Sequence, residues 1–255
     1  MGLDNLNSDK IDDVIITEEK PLGARLGEAG FCIVYLIFIF YLAIWMRNAS
    51  RNVPATETVG RQEYYRYAFG FLMAALLGGG DAFHLIPRII VNIKGKMWKE
   101  NVFLGAGNLI SSITMTIFYN ILIAWGDTLE FSPTKYNYWV EMAVLILTFI
   151  RIVLLLFPQN KWYSKEPNRK WAIIRNVPFV LIGLLVIIGL FNVLAHATNY
   201  SGSLYIILIV LVFLSFAFYL PVALFGKEKP KVGMLMIPKT ICYMIMMAVI
   251  AFGDF

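Results

Sequence analysis

Seven hydrophobic stretches, each long enough to cross a bilayer, occupy most of this chain. They lie near 29–47, 67–93, 102–125, 139–158, 171–195, 203–225 and 234–253. Each holds about 19–27 residues, enough for roughly 30 Å of hydrocarbon with some tilt. In lipid every backbone N–H and C=O must be satisfied within the spanning element, and none of the stretches alternates like a barrel strand. The expected fold is therefore all-α: a polytopic integral membrane protein whose residues 29–255 form a seven-helix transmembrane bundle, preceded by a polar acidic tail over 1–28.

Composition points the same way. The chain is 59% hydrophobic and 15% charged, where a soluble domain carries roughly 45–50% and about 25%. The tail owes its acidity to Asp4, Asp9, Asp12, Asp13, Glu18 and Glu19. No basic run precedes an early apolar one, so no cleavable signal peptide is expected. Leu6 stands where N-myristoylation requires Ser or Thr. Cys32 and Cys242 both fall in apolar segments and read as packing residues. The two histidines and scattered carboxylates give no metal-ligand spacing; neither a metal nor a cofactor is expected.

Charges in the short loops set an expected orientation. Lys94, Lys96 and Lys99 lie in one loop, Lys161, Lys165, Arg169 and Lys170 in a second, and Lys227, Lys229 and Lys231 in a third. Only Lys135 lies in the alternate loops after the third and fifth spans. This bias places the N-terminus in the cytoplasm, against Arg47, Arg51 and Arg61 of the first loop. Trp45, Trp98, Trp125, Trp139, Trp162 and Trp171 flank span ends, where interface anchors belong. Asn48-Ala49-Ser50 and Asn199-Tyr200-Ser201 match the glycosylation sequon, a short and weak pattern.

Ionisable residues at membrane depth are functional-site candidates by default. The second span holds Gly78-Gly79-Gly80-Asp81-Ala82-Phe83-His84-Leu85-Ile86-Pro87-Arg88. Asp81, His84 and Arg88 are spaced i, i+3, i+7 and share one helix face. Arg88, Arg151, Arg175 and Lys239 come from different helices at a similar depth, in the cytoplasmic third. Cations so grouped repel one another unless an anion or water intervenes. The expectation is a basic pocket facing the cytoplasm with Asp81 at its floor and a phosphate or carboxylate as occupant. Headgroup snorkelling is the plainer reading of each cation taken singly. Asn108, Ser112, Thr116 and Asn120 form a polar stripe on the third helix, as interhelical glue or as ligand contacts. Asn176 enters beside Arg175. Pro87, Pro178 and Pro238 lie near these cations, which makes the carbonyls of Phe83, Ile174 and Met234 candidates to face the pocket.

Gly80-Asp81, then Phe103-Leu104-Gly105-Ala106-Gly107, then Phe213-Leu214-Ser215-Phe216, then Lys239-Thr240-Ile241-Cys242-Tyr243 resemble, in order and spacing, motifs of the YhhN-like lysoplasmalogenase family. The family's second aspartate falls at Phe216, and the family usually has eight spans. The resemblance implies a lipid-modifying hydrolase acting on a lysophospholipid or lysoplasmalogen. Asp81 and His84 would be catalytic, and Arg88, Asn108, Ser112, Arg151, Arg175, Asn176, Lys239 and Tyr243 would bind ligand. Lys239 in a seventh helix is also similar to the Schiff-base lysine of retinal proteins, but the third helix lacks their carboxylate. The alternative function is a transporter or receptor for a small anion, without catalysis. Expected partners are membrane lipids and an anionic small molecule or lysolipid, not nucleic acid.

Overall fold

The computed structural model describes residues 21–53, 58–95, 99–129, 137–164, 168–196, 202–225 and 230–253. Seven long helices make up nearly all of it: α1 (Leu22–Asn52), α2 (Thr58–Lys94), α3 (Glu100–Leu129), α4 (Tyr138–Leu156), α5 (Arg169–His196), α6 (Gly202–Phe225) and α7 (Met236–Phe252). Each is long and apolar enough to span a membrane, and no strand occurs among the described residues. The chain is a seven-helix membrane bundle. The acidic residues of the tail through Glu19, the sequon at Asn199, Trp98, and Lys96, Lys135, Lys165, Lys227 and Lys229 lie outside the described residues.

Two boundaries differ from expectation in ways that matter. α1 begins at Leu22, immediately after Pro21, so Glu28 belongs to a helix rather than to the tail. Proline at a helix start removes only an amide that lacks a partner anyway. Pro238 sits in the first turn of α7, where it likewise removes no α-helical bond. Pro87 and Pro178 do lie inside α2 and α5, as does Pro221 inside α6.

Side chains from one helix satisfy the ends of others, and these ties fix the direction of packing. Arg25 at the start of α1 donates to the carbonyl of Val91 at the end of α2 (3.1 Å). Arg66 at the start of α2 donates to the carbonyls of Ile250 and Ala251 at the end of α7 (3.0 Å each). The first helix thus runs antiparallel to α2 and parallel to α7, and α7 packs on both and on α6, closing the ring. α3 packs against α2, α4 and α5. α4 is the outermost helix, with Leu145, Ile146 and Phe149 on its exposed face.

Glycine permits the close approach of α2 and α3. A Cβ on Gly107 would overlap the Phe83 carbonyl and the His84 backbone, and one on Gly80 would overlap the Thr114 side chain. The carbonyl that Pro87 leaves without its amide is thus packed against α3 rather than facing a pocket. Trp125, expected at an interface, is instead fully buried in the core.

The turn after α4 is tied by Asn160. Its Nδ2 donates to the carbonyls of Leu154, Leu155 and Phe157, and its Oδ1 accepts from Arg175 (3.0 Å). Asn160 is fully buried, so removing these bonds leaves polar groups stranded. Asn160→Ala should destabilise the protein by about 1–3 kcal/mol, read as a lower unfolding midpoint. An unchanged midpoint would mean that the turn is held by packing alone.

Candidate functional site

Asp81 lies where α1, α2, α3 and α7 converge. Tyr35 of α1 donates its hydroxyl to Oδ2 (2.6 Å), and Ser111 of α3 donates to Oδ1 (2.6 Å). A carboxylate at bilayer depth costs roughly 2.5–3.5 kcal/mol on insertion scales. Hydrogen bonds to a charged group contribute about 1.5–3 kcal/mol each. Two of them therefore hold Asp81 in place without a cation in direct contact.

His84 is one turn further along α2. Its Nδ1 stands 3.9 Å from Asp81 Oδ1, too far for a hydrogen bond. That nitrogen is buried and has no partner. The gap is suited to a bridging water or a substrate oxygen. Lys239 of α7 completes the charged surroundings, since its ammonium acts electrostatically on both Asp81 and His84.

A second polar chain adjoins this one. Tyr243 and Tyr119 share a hydroxyl–hydroxyl bond (2.8 Å), Tyr119 bonds Ser215 (3.0 Å), and Ser215 donates to the Val212 carbonyl (2.8 Å). Because Ser215 uses its proton on Val212, Tyr119 must donate to Ser215 and Tyr243 to Tyr119. The chain joins α7, α3 and α6 in the core, and Tyr119, Tyr243 and Ser215 are all buried.

The sequence-derived cations do not line a single pocket. Arg88 forms an ion pair with Glu28 of α1. Arg175 donates to Asn160 and lies over the Trp162 ring, 4.1 Å from its centroid. Each is held by a local partner, which removes the need for a shared anion at those two positions. Arg151 and Lys239 do stay together. The Lys239 ammonium lies over the rings of Tyr219 (4.8 Å) and Tyr243 (5.4 Å). Arg151 is only 1% exposed and its guanidinium stacks 3.3 Å from the Phe179 centroid. Tyr219 links it to Asn176, to which the tyrosine hydroxyl donates (2.9 Å). A cation–π contact contributes up to about 2 kcal/mol, less than the several kcal/mol that burying an unpaired ion costs.

The stripe on α3 is spent within the fold. Asn108 is exposed, and Ser112 donates to its backbone carbonyl (2.7 Å). Thr116 donates to the Ser112 carbonyl, and Asn120 to the Thr116 carbonyl and to Thr148 of α4. Asn108 and Ser112 thus stand apart from the Asp81 cluster; the neighbouring Ser111 takes that place. Glu28, Tyr35, Ser111 and Tyr119 were not singled out from the sequence. Gly107, Ser111 and Thr114 carry the signal for Ser111: small residues spaced i, i+4, i+7 define the α3 face that meets α2.

The Glu28–Arg88 pair ties α1 to α2 one turn beyond His84. A double-mutant cycle of Glu28→Gln with Arg88→Gln should show a favourable coupling of about 0.5–3 kcal/mol in unfolding experiments. Additive single effects would mean that the pair contributes nothing as a pair.

Comparison of the chain with protein-family models, with characterised proteins and with solved structures finds no match.

Proposed function

We propose that this protein is a membrane-embedded hydrolase of single-chain lipids, a lysophospholipid or lysoplasmalogen, with Asp81 as its general acid–base group and His84 as the proton-transfer partner. One observation carries the reading: an unpartnered, buried imidazole nitrogen 3.9 Å from a carboxylate that two hydroxyls hold in place. A water between the two groups can pass one proton to either of them. The Gly80-Asp81 and Lys239–Tyr243 segments that resemble the YhhN-like family both reach this cluster, which supports the same reading. Phe216 occupies the place of that family's second aspartate and packs against Tyr119 and Phe179. His84 therefore takes the role of a second acid–base group here. The loop charges favour a cytoplasmic N-terminus, which puts the cluster toward the cytoplasmic side.

In vinyl-ether hydrolysis the acid delivers a proton to the outer alkene carbon. Water adds to the carbon bearing the ether oxygen, and the hemiacetal collapses to an aldehyde and the glycerol hydroxyl. The test is product chemistry. With a lysoplasmalogen in deuterated water, the protein should release an aldehyde carrying one deuterium beside the carbonyl. With an ester-linked lysophospholipid it should release a free fatty acid. Survival of both lipids would overturn the reading. It would favour the second one, movement or sensing of a small anion, for which the prolines inside α2, α5 and α6 supply hinge positions.

A further inference from the structure

We infer that Arg151 of α4 and Lys239 of α7, with Tyr219 of α6 packed against both, form an internal oxyanion site that adjoins the Asp81 cluster and shares Lys239 with it. Arg151 is buried to 1% exposure, yet its Nε and Nη1 have no hydrogen-bond partner. Native proteins pair buried donors, and guanidinium donors above all, because stranding them in a low-dielectric interior is unfavourable. Neither Arg151 nor Lys239 makes an ion pair with a carboxylate among the described residues. Lys239 lies in the field of Asp81, whose two oxygens are already taken by Tyr35 and Ser111, whereas the charged neighbours of Arg151 are the cations Arg175 and Lys239.

The geometry also selects the kind of anion. Arg151 offers planar N–H donors and Lys239 a point charge, while Tyr219, whose hydroxyl donates to Asn176, contributes only by accepting from Arg151 and holding it in place. Such a set suits an acceptor with several oxygens, a phosphate or phosphate ester. Glu28–Arg88 and Asn160–Arg175 are closed pairs, so those positions do not offer an anion comparable unpartnered donors. A free phosphate ion and a lipid headgroup share this chemistry.

This inference goes beyond the hydrolase reading and is tested by binding alone. Purified full-length protein would be titrated with dodecyl phosphate, with the neutral 1-O-dodecylglycerol and with inorganic phosphate, none of which carries a vinyl ether or a fatty-acyl ester. Wild type should bind dodecyl phosphate at least about tenfold more tightly than the neutral lipid. Arg151→Gln and Lys239→Gln should each remove about tenfold of the affinity for the phosphate lipid while leaving the neutral lipid unchanged. Arg47→Gln, at the opposite end of the bundle, should alter neither. Competition by inorganic phosphate identifies a free-anion site; its failure to compete identifies a headgroup site, and both support the assignment. Equal wild-type affinity for the charged and neutral lipids overturns it. Unchanged phosphate-lipid affinity in Lys239→Gln does so as well, even where Arg151→Gln fails to fold.

Discussion

Replacing Asp81 by Asn should lower lipid turnover by at least about a hundredfold while leaving the folded protein intact. The two effects separate because the side chain has two separable jobs. As a structural acceptor it receives hydroxyl protons from Tyr35 and Ser111. An amide oxygen still accepts one of these, more weakly than the carboxylate does. Its NH₂ group meets the other hydroxyl, which can rotate to accept. The variant therefore keeps its contacts and sheds a charge whose burial was unfavourable. As a proton carrier, Asn has nothing to offer, and general acid–base groups contribute about 10²–10⁴-fold. Turnover and thermal unfolding measured on the same preparation check the pair of outcomes. Full activity with normal stability would remove Asp81 from the chemistry. Unfolding together with inactivity would make it a structural residue.

Gly107→Ala should be as damaging by a different route. A methyl group there meets the Phe83 carbonyl and the His84 backbone, not a flexible side-chain tip. α2 and α3 must then move apart, and overpacking of this kind costs about 1–3 kcal/mol. The same movement pulls Ser111 from Asp81 and shifts His84, so activity should fall even where the protein remains folded. Gly79→Ala is the control, since nothing lies within 4 Å of a Cβ at Gly79. Alanine is also the better helix former, so that variant should be neutral or slightly more stable. Equal effects at the two glycines would mean that close approach of α2 and α3 does not position the site.

The spans were legible because helices in lipid must be long and apolar, and length and hydropathy are local properties of a sequence. Asp81 was legible for a related reason: a short charged side chain at mid-span cannot reach water. What surrounds it was not. Glu28 reads as the end of the polar tail because it stands just before the apolar run that begins at Ala29, and only the helix running back to Leu22 places it against Arg88. Depth alone grouped Arg88, Arg151, Arg175 and Lys239. Depth does not give side-chain direction, and direction sends Arg88 to α1 and Arg175 to the turn holding Asn160. On α3 the i+4 stripe of Asn108 and Ser112 was conspicuous, yet its hydroxyls bond back into their own helix. Ser111, one residue away, lies on the face that the small residues Gly107 and Thr114 prepare for α2. Tyr119, hidden among apolar residues, becomes visible only once α3, α6 and α7 are seen to meet.

In the proposed reaction the hydroxyl-held carboxylate and its neighbouring imidazole act on a bound single-chain lipid. The most direct measurement is native mass spectrometry of gently purified protein loaded with a lysophospholipid and lysoplasmalogen panel and followed over time. A bound lysolipid should disappear from wild type as its products appear, and should persist unchanged on Asp81→Asn. A lipid that binds wild type and is never converted would contradict this reading.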